Sequence, residues 1–91
     1  MIKTSLKWFE EDGTEVDFYL LRDLPLGFFH KGMKLNLEKL PELKQVEKDL
    51  EVEFADVHQM VVDYVEATFT EEFTYVDVWL KKQCSHCGAI G

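Results

Sequence analysis

Cysteine is scarce in this chain of 91 residues: two residues, Cys84 and Cys87, lie three positions apart near its end. Such a pair makes no disulfide framework and fits a reducing compartment. Basic residues are also few, 10 against 18 acidic ones, for a formal net charge of −8. Direct nucleic-acid binding needs a basic stripe to displace counterions from phosphate, so the balance argues against it. It permits binding to a basic protein surface, including imitation of DNA. No apolar run approaches the ~18 residues of a membrane span. The N-terminus turns polar at Lys3, unlike a secretory signal. The expectation is a cytoplasmic protein with no membrane partner.

What is present is a folding composition. Hydrophobic residues make up 46% and aromatic ones 13%, more than a disordered chain carries. The length suits one domain with little stability to spare, assigned here to residues 1–82, with residues 83–91 as a flexible tail.

Residues 2–22 read as a β-hairpin. Ile2, Leu6 and Trp8 alternate with Lys3, Ser5 and Lys7, and Val16, Phe18 and Leu20 alternate with Asp17 and Tyr19. A two-residue Asp12-Gly13 turn would set the apolar faces of the two arms on opposite sides. A three-residue loop with Gly13 left-handed pairs Glu10 with Thr14, Trp8 with Val16, Leu6 with Phe18 and Lys7 with Asp17. The pattern selects the bulged turn. Phe9 and Tyr19 then fall on the charged face, as partner contacts or as exposed aromatics.

Residues 23–41 are a connector in which Asp23-Leu24-Pro25 has the makings of a short helix start. Phe28, Phe29 and Met33 are too apolar for a solvated loop, so they either cap the hairpin or face a client protein. His30 has no partner in view. From Pro41 an amphipathic helix is clear, with Leu40, Leu43, Val46, Leu50 and Phe54 within about 120°. Asp56 is a plausible cap for a second helix. Beyond it Val57, His58, Met60, Val61, Val62, Tyr64, Val65, Ala67 and Phe69 cover an arc of roughly 200°, the face of a central helix packed in the core or against another subunit. Residues 73–80 admit two readings. Thr74 and Asp77 suit a helix start, whereas Phe73, Tyr75, Val76, Val78 and Trp79 suit a third strand beside the hairpin. The helical reading turns Phe73, Val76 and Leu80 inward and leaves Tyr75, Val78 and Trp79 exposed.

The pattern Phe69-x-x-x-Phe73-Thr74-x-x-Asp77 after a valine-rich segment resembles the conserved region of tail assembly chaperones of long-tailed, siphovirus-type bacteriophages. That resemblance implies the helical choice at residues 73–80. The expected fold is therefore α+β, an N-terminal β-hairpin followed by two to four α-helices. It also implies a non-enzymatic protein of the bacterial cytoplasm that forms a homo-oligomer and binds the tape-measure protein and tail-tube subunits during virion morphogenesis. Candidate client contacts are Phe28, Phe29, Met33, Tyr75 and Trp79. In that family a programmed frameshift often lengthens a minority product, and the Lys81-Lys82 codons are where a slippery stretch would lie.

Cys84 and Cys87 can bind zinc from one side, yet a structural site needs four ligands and no second CxxC exists. No cofactor is expected, zinc being the weaker option. No catalytic grouping is visible, since the carboxylates are spread without an evident acid and base pair. The alternative function is a small acidic inhibitor that imitates DNA and blocks a basic nucleic-acid-binding host protein.

Overall fold

The computed structural model describes residues 2–54 and 57–82. Strands β1 (Ile2–Phe9), β2 (Glu15–Tyr19) and β3 (Lys34–Leu35) precede one helix, α1 (Pro41–Leu50), and strands β4 (Met60–Phe69) and β5 (Thr74–Lys82) follow it. They form a curled mixed sheet in the order β2-β1-β5-β4-β3. The central pair, β1 and β5, is parallel; every other neighbour is antiparallel.

The N-terminal hairpin has the register that its alternation dictates. Leu6 faces Phe18, Lys7 faces Asp17 and Trp8 faces Val16. The Glu10 amide donates to the Thr14 carbonyl at 2.8 Å, and the Gly13 amide donates back to Glu10 at 2.9 Å. Gly13 holds φ at +90°, a value that only glycine adopts freely. Asp12 accepts the Thr14 amide at 2.9 Å, and the Thr14 hydroxyl together with that amide holds its carboxyl below the usual range.

The core lies on the inner face of the sheet, where Leu6, Trp8, Phe18, Met60, Val62, Val76, Val78 and Leu80 are buried with Leu43 of α1. Trp8 meets Phe18 and Phe54 edge-on, each with ring centroids 5.9 Å away. Its indole N–H reaches Glu10 at 3.5 Å, and Glu10 in turn binds Lys82 at 2.5 Å. This polar clasp closes one end of the core. Helix α1 ends at Glu51, which turns left-handed at φ 54°, so Phe54 reaches Trp8 from the following loop rather than from the helix.

Glu42, in the first turn of α1, is buried and ties the helix to the chain leaving β2. Arg22 grips both of its oxygens, at 3.0 and 2.7 Å, and the Leu21 amide donates to it at 3.1 Å. Burial opposes its charge. The bonds from Arg22 and from the two backbone amides outweigh that cost and hold the carboxyl below its ordinary pKa.

The helical expectation fails after residue 56. Among the described residues one helix follows the hairpin rather than two to four, and the fold is mostly β. The segment expected as a central helix is β4, and residues 74–80 lie within β5, beside the hairpin as their strand-rich composition allowed, with Phe73 in the turn before it. A bulge explains the first error. Register slips between Val62 and Tyr64, so the inner-face positions run Met60, Val62, then Val65, Ala67 and Phe69. The spacing 62, 65, 69 imitates one side of a helix. In residues 74–80 the unbroken alternation of Val76, Val78 and Leu80 with Tyr75, Asp77 and Trp79 decides for strand over the helix that the motif implies. Val78, expected off the core, is fully buried. Asp23-Leu24-Pro25 starts no helix; a turn closes there, with the Phe28 amide on the Pro25 carbonyl at 3.1 Å. The proposed cap Asp56 and the pair Cys84 and Cys87 lie outside the described residues. Among those described, no helix is long and apolar enough to cross a membrane.

Candidate functional site

Because α1 and the connector pack on the inner face, the outer face of the sheet is left without a covering layer among the described residues. Alternation decides what it carries: Lys3, Ser5, Lys7 and Phe9 from β1, Asp17 and Tyr19 from β2, Tyr75, Asp77 and Trp79 from β5, and Tyr64, Glu66 and Thr68 from β4.

Two rows cross the strands. The first is aromatic. Trp79 stacks on Phe9 with centroids 5.6 Å apart and planes at 18°, and on Tyr64 at 5.8 Å and 17°. Phe9 and Tyr64 remain 58% and 44% exposed. The second row is charged. Lys7 lies 3.5 Å from Asp17 and 3.9 Å from Asp77, and Asp77 also accepts the Ser5 hydroxyl at 2.8 Å. Partial burial works against the Lys7 cation, but the two aspartates more than offset it and raise its pKa. Its ammonium also sits 5.6 Å from the Trp79 ring centre, so the rows are coupled through a cation–π contact. Farther along, Lys3 lies 4.4 Å over the Phe73 ring, which tilts against Tyr75 at 6.0 Å.

The stacking geometry limits what this face can bind. Near-parallel rings on adjacent strands occupy one another's faces, so both faces of Trp79 are already in use. A nucleobase or a sugar ring would have only the outward faces of Phe9 and Tyr64 on which to lie, and the net charge of −8 opposes a phosphate-bearing ligand there. Ring edges and aliphatic stems framed by paired charges suit a protein surface instead.

Of the sequence-proposed contacts, Tyr75 and Trp79 stand on this face. Phe28, Phe29 and Met33 do not; Phe29 and Met33 pack against the inner core. Phe28 meets Phe29 edge-on at 5.0 Å, and both border a small open hollow with Leu24, Leu35 and Leu40. The five residues form no single site. The motif residues Phe69, Phe73, Thr74 and Asp77 shape the β4–β5 hairpin: Phe69 pairs with Thr74, and Thr70 bonds the Phe73 backbone across the turn. Phe69 was expected in the core but is 70% exposed. Tyr64 is the residue that sequence reasoning missed, because it was assigned to a helix.

At the opposite end, Glu10, Glu11, Asp12 and Glu53 border an open hollow of about 560 Å³ with Lys82 among them. Among the described residues, no three His, Cys, Asp or Glu side chains gather closely enough to hold a metal ion. No family model, no curated protein and no solved structure matches the chain.

Proposed function

We propose that this chain is a non-enzymatic assembly protein that binds another protein on the outer face of its sheet. The aromatic row Phe9–Trp79–Tyr64 carries the reading: three rings aligned across three strands, the outer two about half open to solvent, framed by Lys7, Asp17 and Asp77. Exposed aromatic surface of this kind is the usual core of a protein contact. Within that class the motif suggests a tail assembly chaperone in the bacterial cytoplasm, with the tape-measure protein or tail-tube subunits as clients. Such a client would meet Trp79 and Tyr75 together with Phe9 and Tyr64, not the connector residues Phe28, Phe29 and Met33. No cofactor enters this reading.

One observation favours the acidic inhibitor, namely the carboxylates of Glu10, Glu11, Asp12 and Glu53 around one hollow. Lys82 neutralises Glu10 there, and Lys44 and Lys48 interrupt the neighbouring Glu47, Glu51 and Glu53. A DNA mimic needs an unbroken acidic face, so the aromatic face is the stronger candidate.

Site-specific photo-crosslinking in the cell of origin tests the choice. A benzophenone at Phe9 or Tyr64 should yield one discrete adduct that the same group at Lys48 on α1 does not. Adducts at Lys48 alone, at all three positions alike, or at none would reject the outer face.

A further inference from the structure

We propose that β4 pairs with β4 of a second copy of this chain, in antiparallel register about Ala67, so that two sheets become one. Among the described residues, β3 covers only the first part of β4, pairing with Met60 and Val61 and bonding Val62 through Gly32 and Met33. Residues 64–69 are paired, among the described residues, on the β5 side alone. A long open edge of this kind is what natural sheets usually blunt with lysine, proline or a covering loop. Among the described residues the bulge at its start is the only such device.

Hydrogen-bond alternation fixes which groups face outward. The Thr70 amide donates to Phe73 across the turn, so in an antiparallel ladder the backbone groups of Phe69, Ala67 and Val65 point away from β5. The side chains of these three residues share the inner face. Beyond the reach of the core, Phe69 is 70% and Val65 36% exposed.

The sequence of the edge, Tyr64-Val65-Glu66-Ala67-Thr68-Phe69, selects the second copy and its register. A two-fold axis at Glu66 would set that carboxylate against itself. An axis at Val65 would set Ala67 against the bulged Asp63. An axis at Ala67 puts Val65 opposite Phe69 of the other copy on the inner face. Glu66 then meets Thr68 on the outer face, a pair able to share a hydrogen bond, and small side chains meet at the centre. Within this stretch no like charges are opposed, although each chain carries −8 overall. The strip is small. At roughly 200 Å² per aromatic side chain, the open parts of Tyr64 and Phe69 come to about 230 Å² per copy. Even with the strand backbone the pair falls below the ~1,200 Å² of a standard stable interface, so the dimer is weak and reversible. Salt strengthens it by screening the net repulsion.

The test uses the full chain with Cys84→Ser and Cys87→Ser. An Ala67→Cys variant brings two thiols together on the axis, with Cα atoms about 5.5 Å apart as in a bonded antiparallel pair, inside the range of a disulfide. Mild oxidation should give a covalent dimer at least tenfold faster than with Thr68→Cys, whose partner in this register is Glu66. Sedimentation equilibrium of the unaltered chain should show a monomer–dimer equilibrium that tightens with salt and is lost in Phe69→Lys, a change at an exposed position that leaves the melting curve intact. Tyr19→Lys on the β2 edge should leave the dimer in place. A monomer at millimolar concentration, equal crosslinking of the two cysteine variants, or a dimer indifferent to Phe69→Lys would overturn the proposal. None of these outcomes depends on the outer face having a partner.

Discussion

Replacing Glu42 by alanine should destabilise the protein by about 2 kcal/mol at neutral pH, and the deficit should shrink in acid. The magnitude follows from three bonds. The carboxylate is buried and accepts two bonds from Arg22 and one from the Leu21 amide. Bonds to a charged group contribute ~1.5–3 kcal/mol each where they are well shielded. The Arg22 side chain is half exposed and rehydrates when its partner is removed, so its share shrinks toward that of a surface pair. The Leu21 amide is part-buried, and its orphaning costs ~1–3 kcal/mol. For a domain of this size about 2 kcal/mol corresponds to roughly 8–16 °C in Tm. The sign of the pH dependence is fixed by the direction of the shift. The folded carboxyl titrates below its unfolded value, so its stabilisation is complete above the unfolded pKa of ~4.3 and is lost as pH falls through the folded one. Urea melts of the parent and the variant across pH 2.5–7 should therefore run parallel above about pH 5 and converge below it. A difference under ~0.5 kcal/mol at neutral pH, or one that persists undiminished in acid, would refute the reasoning.

Trp8→Ala removes a fully buried ring held between Phe18 and Phe54 and should cost ~3–5 kcal/mol by urea denaturation; a loss under ~1 kcal/mol would place Trp8 outside the core. The outer row predicts energetic coupling, so a double-mutant cycle with Tyr64→Ala and Trp79→Ala should give ~0.5–1.5 kcal/mol, and strict additivity would mean that the rings do not stack in solution. Gly13→Ala meets no steric neighbour but must adopt φ +90°, so thermal melts should show a loss of ~1–2 kcal/mol from backbone strain alone; a stabilised variant would mean a different turn.

The N-terminal half was legible because local chemistry and periodicity agree there. Trp8, Leu6, Val16 and Phe18 alternate without a break, and Asp12-Gly13 admits only one turn that keeps them on one face. The helix from Pro41 was plain in Leu43 and Val46, although Leu50 of the expected stripe is exposed and Phe54 lies past the helix end. The C-terminal half was obscured by the bulge between Val62 and Tyr64, which moves the inward positions from even to odd numbers and gives a strand the look of a helix. Phe9 and Tyr19 could be placed on the outer face from the hairpin alone. Their continuation to Trp79 and Tyr64 could not, because it depends on β5 docking parallel to β1, a pairing of residues more than seventy positions apart that no local pattern encodes.

Everything proposed for the outer face and for the β4 edge rests on residues 60–82 being a hairpin docked on β1. Backbone NMR of the isotopically labelled chain tests that directly. The structure predicts cross-strand contacts between Val65 and Val78 and between Ala67 and Val76, parallel-strand contacts between Leu6 and Val78, and ring contacts between Tyr64 and Trp79. Sequential helical contacts running through Met60–Phe69, with no contact from Val78 to Leu6, would contradict the account.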